Sequence, residues 1–139
     1  MALTRYLVDT SAFTRFDKPA VFEVLEPLIR GRQLSLCAPV EFELRFSARN
    51  LDELRGLIDE LLSFPKTPIN EPILRRALEI QEQLAERGQL RALSLVDLSV
   101  AAAAEINGLT VLHYDADFDL VAEVTGQPCE WVVERGSTE

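Results

Sequence analysis

The segment "LHYDADFD" (residues 112–119) places aspartates at three alternate positions, Asp115, Asp117 and Asp119, directly after an apolar run. Carboxylates this close repel one another. A cation or a strong hydrogen-bond network has to hold them, and the segment contains no lysine or arginine. Three more acids stand in unusual places. Asp9 ends the apolar run "RYLVD". Glu43, in "PVEFELRFSA", shares a helical face with Val40, Leu44 and Ser47. Asp97, in "SLVDLSVAAAAEING", shares one with Val100, Ala101 and Ala104. An unpaired charge on such a stripe is costly. Carboxylates gathered together suit Mg²⁺ or Mn²⁺, hard cations that bind oxygen and leave positions open for a phosphate. The sole histidine, His113, has no histidine or cysteine partner at metal-binding spacing, so zinc is not expected. Its place inside a strand argues equally against a Ser-His-Asp triad.

Each acid also has a purely structural reading. Asp9 can cap a helix formed by "TSAFTRF". Asp97 stands three residues after Ser94, the spacing of a capping box. Asp115 can cap the helix that holds Phe118, Val121 and Ala122, and Asp117 and Asp119 suit its first turn. Glu43 can pair with an arginine between helices. Taken together these readings weaken, because all four places can reach one end of one sheet.

The elements that would position these acids alternate. "RYLVD" (5–9), "LSLCA" (34–38), "LTVLHY" (109–114) and "CEWVV" (129–133) read as strands, and "TPIN" (67–70) as a short edge strand. "PAVFEVLEPLIRGRQ" reads as a helix interrupted at Pro27 and ended by Gly31. "PVEFELRFSAR" reads as a helix in which Glu41 can pair with Arg45. "NLDELRGLIDELLSF" is capped by Asn50 and carries an apolar face of Leu54, Leu57, Ile58, Leu61 and Leu62. "NEPILRRALEIQEQLAERG", "SLVDLSVAAAAEING" and "ADFDLVAEVTG" complete the helices. Strands alternating with helices predict a three-layer α/β/α domain with a mainly parallel sheet of four to five strands. Such sheets hold their sites at the carboxyl ends of the strands, where Asp9 and Asp115 fall. One domain is expected over residues 1–134, with residues 135–139 a frayed tail.

Hydrophobic content of 47% and charged content of 27% are ordinary for a globular chain. No apolar stretch is long enough to span a membrane, and no secretory signal is evident. Cys37 and Cys129 fit neither a metal spacing nor a disulfide framework, and read as thiols in a reducing cytoplasm. The net charge of −9 argues against binding nucleic acid through the whole surface field. It leaves local binding open. Of the 14 basic residues only Lys18 and Lys66 are lysine, and arginine is favoured where phosphates are gripped in fork geometry.

The pieces "YLVDTSAF", "CAPVEFELRFSAR", "LSLVDLSVAAAAEINGLTVLHYDADFD" and "CEWVV", in this order, resemble a PIN-domain ribonuclease of the VapC toxin type. Each piece is short, but the ordered set covers nearly the whole chain. The resemblance implies a metal-dependent endoribonuclease, the toxin of a toxin–antitoxin pair. It implies Asp9, Glu43, Asp97 and Asp115 as the catalytic, metal-binding acids, with Asp117 auxiliary, Asp9 and Asp97 the firmest ligands, Glu43 either a ligand or the group that orients the water, and Mg²⁺ or Mn²⁺ as the cofactor. Glu43 fits better than Glu41 by facing and by motif position. Thr10 and Ser11 match the "DTS" element, with hydroxyls that would orient Asp9. Arg15, Arg45, Arg49 and Arg91 are candidates for gripping RNA. The resemblance also implies a homodimer and a VapB-type antitoxin packed over "FEVLEPL" and "NLDELRGLIDELLSF", blocking the pocket.

The rival readings are an idle PIN-like module that binds RNA or protein, and other phosphoryl chemistry. A receiver domain needs a lysine near the site, and neither Lys18 nor Lys66 follows a clear central strand. A haloacid-type hydrolase wants "DxD" after the first strand, which here gives "DTS". "DADFD" is not an EF-hand loop, since Leu120 replaces the sixth-position glycine and Gly126 the twelfth-position acid.

Overall fold

Parallel strands covered on both faces need apolar side chains at successive positions. Leu7–Val8 and Val111–Leu112 have that pattern, and all four side chains are buried. The computed structural model describes residues 4–138. Residues 1–3 of the expected domain and residue 139 of the expected tail lie outside the described residues. Among the described residues, four strands form one sheet: β1 (Tyr6–Val8), β2 (Leu34–Ser35), β3 (Thr110–His113) and β4 (Cys129–Trp131). Their order is β2-β1-β3-β4, and every pairing is parallel. Seven helices among the described residues make the crossovers: α1 (Thr10–Phe13), α2 (Pro19–Arg30), α3 (Ala38–Arg45), α4 (Leu51–Leu62), α5 (Glu71–Glu86), α6 (Leu95–Asn107) and α7 (Asp117–Thr125). This is the expected α/β/α architecture, with the sheet at the lower strand number. The chain leaves β1 toward β2 on one side and returns to β3 on the other. The switch point between β1 and β3 is where such sheets open a site.

The second strand is shorter than its apolar run. Pro39 near the start of α3 draws Ala38 into the helix. The expected edge strand at 67–70 is a single bridge one residue earlier, Leu36 to Lys66, with Thr67 N–H donating to the Leu36 carbonyl at 2.8 Å. Pro27 does not interrupt α2, which runs unbroken to Arg30. Its missing N–H strands the Glu23 carbonyl, and both residues are exposed, so water can satisfy that group. On α4 the apolar face holds at Leu54, Leu57, Ile58 and Leu61, but Leu62 is 73% exposed. One residue beyond buried Leu61 is a rotation of about 100° toward solvent.

α6 is buried nearly all round. Ser94 caps it, Gly108 ends it in the left-handed conformation (φ 66°), and Ala101, Ala102, Ala103 and Ala104 are inaccessible. Alanine side chains let α6 lie close to β1, β3 and α5 together. α5 buries Ile73, Ala77, Ile80 and Leu84, and Arg76 forks onto Glu105 of α6 at 2.5 and 3.1 Å. Cys37 is buried and Cys129 half-buried, both as free thiols. Burial pushes them up to about 11 and about 12, so neither is a reactive thiolate at neutral pH.

The close approach of α6 is testable. Ala102→Leu adds volume where there is none to spare and should cost about 1–3 kcal/mol by denaturant unfolding. A loss under about 0.5 kcal/mol would mean that α6 is packed more loosely than described.

Candidate functional site

Pairing of β1 with β3 brings the acidic segments together. Val8 lies opposite Leu112, and Asp9 N–H donates to the Leu112 carbonyl at 2.9 Å. Asp9 is 3% exposed and caps α1. Its Oδ2 accepts from Ser11 N–H at 3.0 Å and from Ser11 Oγ at 2.6 Å. Ser11 Oγ in turn accepts from Tyr114 N–H at 2.9 Å, so one hydroxyl ties the end of β1 to the end of β3. Asp9 Oδ1 is buried with no hydrogen-bond partner among the described residues. Burial raises the Asp9 carboxyl above its ordinary value, the Ser11 bonds oppose this, and the charges of Asp115 and Glu43 add to it.

α3 delivers Glu43. Its Oε1 accepts from Thr10 Oγ1 at 2.5 Å. Thr10 therefore orients Glu43 rather than Asp9, and Ser11 alone supplies the hydroxyl to Asp9. Glu41 turns away to Lys66 at 2.9 Å and not to Arg45. The lysine comes from the bridge beside β2, a long-range partner that outcompetes the helical neighbour.

Asp97 does both things that its sequence allows. Its N–H donates to Ser94 Oγ at 3.1 Å and its Oδ2 accepts from Ser94 N–H at 3.3 Å, a capping box. Its carboxylate also belongs to the acidic cluster. Asp97, Asp115 and Asp117 each offer an oxygen, all within 4.8 Å of one another. Burial, then the nearby charge of Asp9, pushes Asp97 up to about 6. Asp117 is raised by burial and by Asp115. Asp115 Oδ1 accepts from Asp117 N–H at 2.9 Å, which fixes the turn into α7. Asp119 leaves the pocket: it is exposed and accepts from Trp131 Nε1 at 3.0 Å.

The five acids named from sequence thus form one electrostatically coupled set, with a tight trio and with Asp9 and Glu43 beside it. The donor set is all oxygen, and a buried carboxylate oxygen is left over. Both features fit a hard divalent cation. His113 offers it nothing. The ring is fully buried against Phe118 and Trp131, and its Nδ1 accepts from Asp115 N–H at 3.1 Å. Burial lowers it to about 4, so it is neutral and steadies the backbone of Asp115.

The four arginines differ. Arg49 is tied up by Glu53 at 2.7 Å. Arg91 is exposed, with no ion pair among the described residues. Arg45 is half-buried with its Nε unpartnered. Arg15 donates from Nη1 to the Ser11 carbonyl at 2.7 Å and lies 4.5 Å over the Tyr114 ring. Tyr114 carries no signal in the sequence beyond its position between His113 and Asp115. Its hydroxyl also accepts from Gly136 N–H at 2.8 Å and Thr138 N–H at 3.2 Å, which holds the last described residues against β3.

The PIN domain family model matches residues 6–124. Ribonuclease VapC51 of Mycobacterium tuberculosis is 45% identical over 139 residues, the whole of both chains. Ribonuclease VapC21 of the same species is 42% identical over 96% of this chain and 98% of that protein. The DNA-bound VapBC of Salmonella typhimurium contains a chain of similar fold, with TM-score 0.76 and 15% identity, covering 94% of this chain and 100% of that one.

Burial of Asp97, with the charge of Asp9 beside it, has a pH signature in the metal-free protein. Asp97 binds its proton more tightly folded, at about 6, than at its ordinary 3.8. Between those values the folded state holds more protons than the unfolded one, so stability falls as pH rises and is flat above. Asp97→Asn should remove that loss. With solvent screening of a partly exposed group, we expect a gain of about 1 kcal/mol, or roughly 3–5 °C in Tm, above pH 6 and none below pH 4. Thermal melts in chelator would show it, and equal Tm values for wild type and Asp97→Asn at both pH values would refute the raised Asp97 carboxyl.

Proposed function

The chain belongs to the PIN-domain family, and from that premise we propose that it is a divalent-metal-dependent endoribonuclease, the toxin of a toxin–antitoxin pair. The observation that carries this reading is the buried, unpartnered Oδ1 of Asp9 beside the Asp97–Asp115–Asp117 cluster. The full-length likeness to proteins named ribonucleases supports it.

Asp9, Asp97, Asp115 and Asp117 would hold the cation, with Mg²⁺ or Mn²⁺ favoured by the oxygen donor set. When bound it supplies neutralisation of phosphate charge and a lowered pKa for an attacking water. The chain's own side chains do the rest. Ser11 fixes Asp9 by two bonds to one oxygen and leaves the other free. The Ser94 box fixes the Asp97 rotamer. Thr10 engages Oε1 of Glu43, which leaves Oε2 to orient the water and take its proton. Water adds to phosphorus, a P–O bond breaks, and the departing oxygen takes up a proton.

The proposed partner is a VapB-type antitoxin. α1, α2 and α4 frame an apolar groove of about 560 Å³ lined by Phe13, Phe16, Ile29, Leu61 and Phe64. A second hollow of about 330 Å³ shares Phe13 and Leu61 and reaches Glu43 itself. A helix laid in the groove would therefore end at a site acid. Homodimerisation is part of the proposal, supported by exposed Leu74, Leu78 and Leu95 around an apolar hollow on α5 and α6. So are a single domain over residues 1–134 and a cytoplasmic location. No helix among the described residues is long and apolar enough to cross a membrane.

Mn²⁺ titration and RNA cleavage by antitoxin-free protein test the reading. Wild type should bind Mn²⁺ and cleave. Asp9→Asn should stay folded and lose cleavage by at least ~10²-fold, the scale for removing a charge-stabilising or proton-transferring group. Full cleavage by Asp9→Asn, or none by wild type with Mn²⁺ present, would sink it.

A further inference from the structure

A pocket of carboxylates solves only part of the substrate problem. One cation can neutralise the reacting phosphate, but the neighbouring phosphates of an RNA strand still meet a protein of net charge −9. Positive charge beside the pocket has to come from the chain, and five of its twelve arginines are already engaged in ion pairs. Arg30, Arg49, Arg75, Arg76 and Arg87 each pair with a glutamate.

Arg15 is different. Like Arg45, it pairs with no carboxylate among the described residues and has a buried Nε without a partner, and what sets it apart is what holds it. Its anchors are a backbone carbonyl and an aromatic face: Ser11 O at 2.7 Å and the Tyr114 ring at 4.5 Å. Both anchors belong to the acidic site. Ser11 sets Asp9, and Tyr114 immediately precedes Asp115. The ring is itself held, by Gly136 and Thr138 at its hydroxyl and by Trp131 edge-on at 5.3 Å. A guanidinium on a fixed ring loses little freedom when it binds, and with Nε buried the Nη N–H groups not on Ser11 are the ones left for a phosphate.

Resting on the ribonuclease reading, we infer that Arg15 grips an RNA backbone phosphate beside the acidic pocket, preset for it by Ser11 and Tyr114. It is a substrate-binding residue, and its contribution is to affinity. Arg49 cannot serve in the same way without giving up Glu53, and Arg91 has no such anchor.

The test is binding of a single-stranded RNA oligonucleotide, read by fluorescence anisotropy over a series of KCl concentrations. Glu43→Gln provides the cleavage-impaired background, and Arg15→Gln and Arg15→Lys are added to it. Wild-type cleavage of the same oligonucleotide is followed in parallel. Arg15→Gln should weaken binding by about 10-fold or more, as for removal of a charge-assisted bond. The slope of log affinity against log salt should shrink by about 0.7, the value for each phosphate neutralised on a single strand. Arg15→Lys should restore the slope and only part of the affinity, while neither Arg15 substitution changes Mn²⁺ binding relative to Glu43→Gln alone. An unchanged slope in Arg15→Gln, with wild type still cleaving, overturns the role of Arg15 alone. A fall in Tm with no change in slope assigns it to holding Tyr114. Weaker antitoxin binding with unchanged RNA binding assigns it to the protein partner; either result overturns the inference. Failure of wild type to cleave is the separate outcome that removes the ribonuclease reading.

Discussion

Five carboxylates gathered at the carboxyl ends of β1 and β3 repel one another, and the surrounding structure is arranged to bear that repulsion. Asp9 is nearly inaccessible, and both it and Asp97 hold protons more tightly than an ordinary aspartate. No lysine or arginine pairs with any of the five among the described residues. Four of the five are held instead by neutral donors: Ser11 for Asp9, Thr10 for Glu43, Ser94 for Asp97, and the Asp117 N–H for Asp115. Neutral donors fix direction without cancelling charge. A salt bridge would have relieved the repulsion and with it the driving force for binding a cation. The fold supplies the stability that the site gives up, through the alanine face of α6 and the fully covered strands.

Much of this was legible along the chain, because it depends on period and on strand ends. The four strands and the positions of Asp9 and Asp115 follow from apolar runs that stop at an acid. Glu43 and Asp97 follow from charge on an apolar stripe. Along the sequence the structural and chemical readings of Asp97 are alternatives, and the structure shows both at once. The capping box uses Oδ2 weakly, at 3.3 Å, and in doing so sets the carboxylate within the cluster. Asp9 repeats this with α1, so an acid that caps a helix is not thereby excused from the site.

What was not legible depends on contacts between distant segments. Thr10 meets Glu43 only because α3 crosses the start of α1, and nothing in "DTS" says which acid each hydroxyl will find. Glu41 finds Lys66 across 25 positions, where helical spacing offered Arg45. Pro27 reads as a break, yet an exposed carbonyl four residues back makes it tolerable within α2. Tyr114 falls between two conspicuous residues, and its importance lies in what touches it: Ser11 at its N–H, Arg15 on its face, and Gly136 and Thr138 at its hydroxyl.

α3 joins the proposed catalytic and inhibitory surfaces at a single peptide bond. Glu43 accepts from Thr10 at the acidic site, while Leu44 is buried and lines the hollow that opens toward α4. Adjacent residues on a helix point about 100° apart, so one turn of α3 serves both surfaces. A partner that fills the apolar groove therefore needs no long-range conformational change to reach the chemistry. It has only to extend past Phe13 and Leu61 to cover Glu43. The apolar residues give such a partner its area and the exposed edge of the acids gives it a charge to recognise. Affinity and inhibition then come from the same docked segment.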